Sequence, residues 1–242
     1  MESRGLPRFN IGDLARIQTE LADGAGFVLV EGCNADHPGD AEEAGLALRR
    51  LGESLGYLLP QNVKDETLVE IADFSDVDAF DDRGYRSPGE LTPHTDPPPM
   101  LALHCVRAAR TGGENRLVSA ETIRERFRAE CPDLLPVLET GFMYYLPDES
   151  VQGAGVFRGP MPTLIDGPGG LSCVYYRPFI DRAVTQSGKA LSAIETEALD
   201  RFDTYAADDD LQIRFTLQPG ETLILNNFRV LHARDTFEDW PE

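Results

Sequence analysis

His94-Thr95-Asp96 and a distant His232 are the residues of this 242-residue chain best suited to chemistry. Two imidazoles and one carboxylate make up a facial triad. That ligand set holds a non-haem Fe(II) on one side and leaves the opposite positions open for a cosubstrate and O2. The chain has four His in all, so such a site would absorb half of them. The His-x-Asp spacing alone does not establish it. With 42 acidic residues in 242, a given His has an acid two places on roughly one time in six, so a chance match among four His is close to even. A hydrogen-bonded His–Asp pair in a loop explains the tripeptide as well.

Three features of context favour the metal. In an extended strand residues i and i+2 point to the same side, so His94 and Asp96 can meet one ion while Thr95 faces away. Pro97-Pro98-Pro99 follows at once, and proline cannot donate to a sheet ladder, which places the motif at a strand's mouth or edge. His232 closes the apolar segment Val230-Leu231-His232, and an imidazole ending a buried strand needs a partner, of which a metal is one.

The elements that must position these residues are mostly short strands. Asn10 and Asp13 form a capping-box-like start to a helix carrying Ile11, Leu14, Ile17 and Leu21 on one face. Phe27–Val30 is a buried strand between glycines, and Ala44, Leu48, Leu51 and Leu55 mark a second amphipathic helix. From Leu68 the pattern predicts strands over Leu68–Ile71, Leu101–Val106, Arg116–Ser119, Phe142–Leu146, Leu171–Tyr176, Leu211–Leu217, Thr222–Leu225 and Val230–His232. Gly112-Gly113 reads as a hairpin-type connection, and Pro219-Gly220 as a turn. Helical inserts fall at about 119–139, with Ile123 and Phe127 inward, and at about 192–206. The second opens with Ser192-x-x-Glu195 and places Ile194, Ala198, Phe202 and Tyr205 on one face. The expected fold is mainly β with flanking helices (α+β), a double-sheet jelly roll behind a helical N-terminal part of about 10–58. Two long irregular stretches, about 73–90 and 147–170, are lids or disordered segments.

Composition bounds the function. A hydrophobic fraction of 41% and a charged fraction of 26% are those of a globular protein. A net charge of −20 argues against nucleic acid and anionic membrane as partners. It does not imply a cationic substrate, since an acidic surface also serves solubility. Cys33, Cys105, Cys131 and Cys173 lie far apart with no Cys-x-x-Cys pair, as in a reduced, cytoplasmic protein. No signal peptide or membrane span is apparent.

Three blocks carry a resemblance. They are Leu91-Thr92-Pro93-His94-Thr95-Asp96, the run from Arg107 through Gly112-Gly113-Glu114-Asn115 to Ser119, and the run from Pro219 through Asn226-Asn227-Phe228-Arg229 to His232-Ala233-Arg234. In this order they resemble the taurine dioxygenase and clavaminate synthase-like group, Fe(II)- and 2-oxoglutarate-dependent oxygenases built on a double-stranded β-helix (jelly roll, cupin-like). The resemblance implies one oxygenase domain over residues 1–242, with its core at about 68–242. It implies Fe(II) on His94, Asp96 and His232, with 2-oxoglutarate and O2 as cosubstrates. It places Asn115 where the group often has a Ser or Thr touching the cosubstrate. The carboxylate at Asp96 favours oxygenation, because halogenating members carry a small residue there.

An Arg beyond the distal His, which in this group grips the far carboxylate of 2-oxoglutarate, is expected past Glu242, so the sequence is read as incomplete at that end. Arg234 is too close to His232 to match it. Arg214 or Arg116 would be substitutes, and loss of activity is the remaining alternative. Tyr85, Arg86, Arg158, Arg177 and Asn62 are candidates for contact with a small polar substrate, such as an amino acid or related acid whose C–H bond is hydroxylated. Each has a plainer role as a surface or ion-pair residue. His104 is read as a sheet-face histidine and His37 as a surface turn. Two rivals stay open: a cupin-like metal enzyme that uses no keto acid, and a non-catalytic jelly-roll binding module.

Overall fold

The computed structural model describes residues 5–33, 39–62, 64–74, 84–147 and 154–240. β1 (Arg8–Asn10) and β2 (Phe27–Glu31) run parallel, joined by α1 (Leu14–Asp23). α1 begins later than Asn10 implies, and of the capping box only one arm forms, with Asp13 accepting from the Asn10 N–H. α2 (Ala41–Leu55) is capped by Asp40, whose carboxylate accepts from the Glu42 and Glu43 amides. After a 3-10 turn at Gly84–Arg86 come β3 (Leu91–His94), β4 (Met100–His104), β5 (Thr111–Gly112) and β6 (Asn115–Ser119). α3 (Ala120–Glu130) starts directly on the Ser119 cap. α4 (Leu135–Thr140), β7 (Phe142–Pro147), β8 (Gly155–Met161), β9 (Leu164–Gly167) and β10 (Gly170–Cys173) follow. α5 (Arg177–Ser187) and α6 (Ala193–Ala206) precede β11 (Ile213–Phe215), β12 (Thr222–Asn226), β13 (Val230–Arg234) and β14 (Phe237–Glu238). The capping box of Ser192 and Glu195 forms with both arms and opens α6.

Two four-stranded sheets carry the site. One has the order β1-β2-β12-β4, the other β11-β6-β13-β3. Side-chain alternation divides each strand between two cores. Val28, Val30 and Ile224 of the first sheet pack against Ile17 and Leu21 of α1 and Ala47 and Leu51 of α2. Phe27, Leu29, Leu223 and Leu225, on the other face, meet Leu117, Phe215 and Val230 of the second sheet. The far face of the second sheet, through Val118 and Leu231, joins Ile123, Phe127, Tyr175, Phe202 and other side chains of the α3–α6 region. Each fully buried Leu, Ile or Phe of this kind contributes about 1.5–3 kcal/mol. Both sheets are covered on both faces, so residues at their rims are the ones that can meet solvent and substrate.

Several expectations are corrected. Leu68–Ile71 forms no strand; Leu68 lies against Gly45 of α2 instead of a sheet edge. Gly112-Gly113 is not the turn of a hairpin, because β4 pairs with β12 while β5 pairs with β14. Positive φ at Gly112 lets the backbone come so close to the Thr236 carbonyl that a Cβ would sit 2.0 Å from its oxygen. The stretch 147–170 contains β8 and β9. Residues 75–83 of the 73–90 stretch, together with His37, fall outside the described residues. Ile194 is 47% exposed, although Ala198, Phe202 and Tyr205 of its helix are buried. α5 has no counterpart in the sequence reading. Among the described residues no helix is long and apolar enough to cross a membrane.

Candidate metal centre

β13 presents Val230 to the space between the two sheets, so His232, two residues on, faces the same way. β3 pairs antiparallel with β13 and places His94 directly opposite His232. The two rings stand 4.3 Å apart between centroids, and each residue is only 8% exposed. β3 ends at His94, and the chain turns so that Thr95 leaves the site. The Thr95 amide donates to the Tyr175 carbonyl at 2.9 Å, and its hydroxyl accepts from the Tyr175 amide at 2.9 Å. Asp96 swings back. Its Oδ1 lies 3.9 Å from His94 Nε2 and its Oδ2 lies 3.5 Å from His232 Nε2. The three ligand atoms all fall within 4.8 Å of one another, the one such group of three among the described residues. The Asp96 side chain is 37% exposed and opens the site outward.

The protonation states suit a cation. His94 Nδ1 donates to the Thr92 carbonyl at 2.8 Å, which leaves the Nε2 lone pair facing the carboxylate. Burial, reinforced by the neighbouring His232 and opposed by Asp96, lowers the His94 pKa to about 4, so the ring is neutral at pH 7. Burial alone would raise the Asp96 carboxyl, but the hydrogen bond from His232 and the two imidazoles outweigh it and hold Asp96 below its ordinary value. A neutral nitrogen lone pair aimed at an ionised carboxylate has no proton between them, and a metal ion satisfies both. His232 Nδ1 is buried without a hydrogen-bond partner. The donor set fits Fe(II): imidazole and carboxylate on one face, with the opposite side free.

The other sequence candidates fall in different places. Asn115 stands on β6 opposite Arg234 of β13, on the face that Leu117 and His232 share, two residue pairs along from His232. Tyr85 is half-buried in the 3-10 turn that leads toward β3. Arg86, beside it, lies over the Phe74 ring at 4.5 Å. Arg158 is exposed on β8, in register with Tyr144. Arg177 does not present a free fork. It is the first residue of α5 and binds Asp181, Asp200 and Asp203, at 2.9 Å, 3.2 Å and 2.8 Å. Asn62 is spent on its own turn, bonding Glu66 through its amide while its carbonyl oxygen accepts from the Lys64 and Glu66 amides.

Neither proposed substitute for the cosubstrate arginine reaches the site. Arg116 and Arg214 lie on the strand face opposite Leu117 and Phe215, where they pair with Glu90 and Asp235 and with Glu114, Asp209 and Asp235. Arg234 faces the inter-sheet side, and its guanidinium donates to the carbonyls of Ser87 and Gly89. His104 bonds Thr222 Oγ1 at 2.8 Å on the α1–α2 side of its sheet, away from the triad.

Two residues escaped the sequence reading. The Tyr176 ring packs on His94 at 5.3 Å and is itself met edge-on by Phe179 at 4.6 Å. Asn227 is fully buried and holds the segment that carries Asp96. Its place in the Asn226-Asn227-Phe228-Arg229 run, just before the distal strand, was the only signal available.

Residues 6–242 match the taurine catabolism dioxygenase TauD, TfdA family. The chain belongs to this family. As a TauD/TfdA member it is an Fe(II)- and 2-oxoglutarate-dependent oxygenase, which removes both the keto-acid-free enzyme and the non-catalytic module as readings. FR-33289 synthase of Streptomyces rubellomurinus is 27% identical over 244 residues, which cover 99% of this chain and 71% of that protein. The structure of asparagine oxygenase with Fe(II), 2S,3S-3-hydroxyasparagine and succinate superposes with a TM-score of 0.65 at 18% identity, covering 96% of this chain and 74% of that one. The non-haem iron oxygenase OrfP with Fe and alpha-ketoglutaric acid gives 0.64 at 16% identity, with coverage of 96% and 75%. These two share the fold.

Proposed function

We propose that the chain hydroxylates an unactivated C–H bond of a small amino acid or related acid. The observation that carries this reading is the convergence of His94, Asp96 and His232 at the rim between two sheets. Iron held there, with 2-oxoglutarate and O2, supplies the oxidation of such a bond, the keto acid leaving as succinate and CO2. Every other requirement falls on the chain. The Thr92 carbonyl holds the His94 ring with Nε2 inward. Tyr176 and Phe179 wall one side of His94 with aromatic surface, which keeps bulk water off the ligands. Asn115 is assigned to donate to the cosubstrate, and the support is its position on the triad's face of β6. Tyr85, Arg86 and Arg158 stay as substrate contacts. The support for Arg158 is that its register partner Tyr144 bonds the Val174 carbonyl, next to the segment bearing Tyr176. Arg177 is assigned to holding α5 on α6, and Asn62 to its turn.

The sheets are read as the halves of one double-stranded β-helix domain. The support is that β3, β4 and β6, and again β11, β12 and β13, alternate between them. Four free cysteines support a cytoplasmic location. An amino-acid-like substrate is supported by the hydroxylated asparagine and arginine held by asparagine oxygenase and OrfP. The test is to incubate the protein with Fe(II), 2-oxoglutarate and a panel of amino acids, measuring succinate and any product gaining one oxygen atom. Succinate no higher than that of His94→Ala would overturn the proposal.

A further inference from the structure

We propose that Asn227 is the residue that positions the Asp96 carboxylate for the metal; this rests on the iron reading of the triad. Asp96 is the one ligand that does not stand on a strand, since β3 ends at His94 and β4 begins at Met100. The intervening Pro97, Pro98 and Pro99 have no amide hydrogen, so this segment can tether itself only weakly. All three hydrogen bonds found for the main chain of 96–99 among the described residues run to Asn227. Its side-chain Oδ1 accepts from the Asp96 amide at 3.4 Å, and its Nδ2 donates to the Pro98 carbonyl at 2.9 Å. Its backbone amide donates to the Pro99 carbonyl at 2.9 Å.

A carboxamide accepts from an N–H through its oxygen and donates to a C=O through its nitrogen, from one planar group; a carboxylate lacks the donor and an aliphatic lacks both. Asn227 is 0% exposed, so water cannot replace either bond. It also lies in the turn between β12 and β13, leading into the strand that bears His232. One buried amide therefore ties the segment of the loop-borne ligand to the strand that bears His232, and sets the gap the ion must span. Asn227 touches neither substrate nor metal; it acts through Asp96.

The experiment compares wild type with Asn227→Ala and Asn227→Asp in three measurements. These are cooperative thermal melting, hydrogen exchange at the Asp96 amide of the metal-free protein, and Co(II) titration followed by its visible ligand-field spectrum. The expected result is folded variants in which the Asp96 amide exchanges faster, Co(II) Kd rises about 10- to 100-fold, and the spectrum changes shape. Folded variants with unchanged exchange, Kd and spectrum overturn the proposal. So does a failure of both variants to fold, since Asn227 would then be a determinant of the fold. If the wild type binds no Co(II), the triad reading fails, and the exchange rates still decide whether Asn227 tethers Asp96.

Discussion

His232 Nε2 lies 3.5 Å from Asp96 Oδ2, although one residue stands in the middle of β13 and the other follows β3. The contact exists because β13 and β3 are neighbours in one sheet, with His94 and His232 as an opposed pair. Asp96→Asn keeps the shape of the side chain and removes its charge. Loss of a direct ligand should exceed the 10- to 100-fold cost typical of residues that support one, so Fe(II) affinity is expected to fall by more than about 100-fold. Iron content after anaerobic reconstitution and desalting checks this. Because the Asp96 side chain is 37% exposed, the melting temperature of the metal-free protein should barely move.

Acid should destabilise the metal-free protein through His94. Its folded pKa, about 4, is depressed by burial below the ordinary 6.5. Between those values the unfolded chain binds a proton that the folded chain does not, so stability is full above pH 6.5 and is lost as pH falls toward 4. The contribution is on the order of 3 kcal/mol for a shift of this size. Thermal melts of wild type and His94→Gln from pH 7.5 to 4.5 test it: the two curves should converge on the acid side.

Arg177→Ala should act on the fold and leave the metal site alone. The guanidinium joins Asp181 of its own helix to Asp200 and Asp203 of α6, and Asp203 also accepts from the Tyr175 hydroxyl. Removing it leaves three carboxylates without their counter-ion, a loss of about 1–2 kcal/mol for a partly exposed network. Urea denaturation measures the loss. A variant of wild-type stability with a raised KM would return Arg177 to the substrate site.

Gly112→Ala should loosen the rim at β5 and β14. A side chain there meets the Thr236 carbonyl at 2.0 Å and must adopt φ near +74°. Strain of this kind costs about 1–3 kcal/mol, visible as a lower melting temperature and faster exchange of the Arg110 amide, which donates to the Glu238 carbonyl.

How much of this was legible in the sequence depends on how local the cause is. Strand periodicity and the Ser192–Glu195 box act within a few residues, and β6, β7, β10, β12 and β13 all overlap their expected positions. The ligands were legible because three residue types must coincide at one ion. β8 was hidden because Gly155, Gly159 and Pro160 mask its pattern, and it forms only by pairing with β7. The choice between the two roles kept for Arg177 was hidden for a similar reason: its partners Asp200 and Asp203 come from α6, and a residue's long-range ion pairs leave no trace in its neighbours. Asn227 was invisible as a tether because its role depends on how the Pro97–Pro99 segment folds back.

The central claim is tested most directly by adding 2-oxoglutarate to the Fe(II)-loaded protein without oxygen and recording the visible spectrum. A charge-transfer band should appear in the wild type and be absent from His232→Ala. No band in the wild type, or an equal band in the variant, would contradict the account.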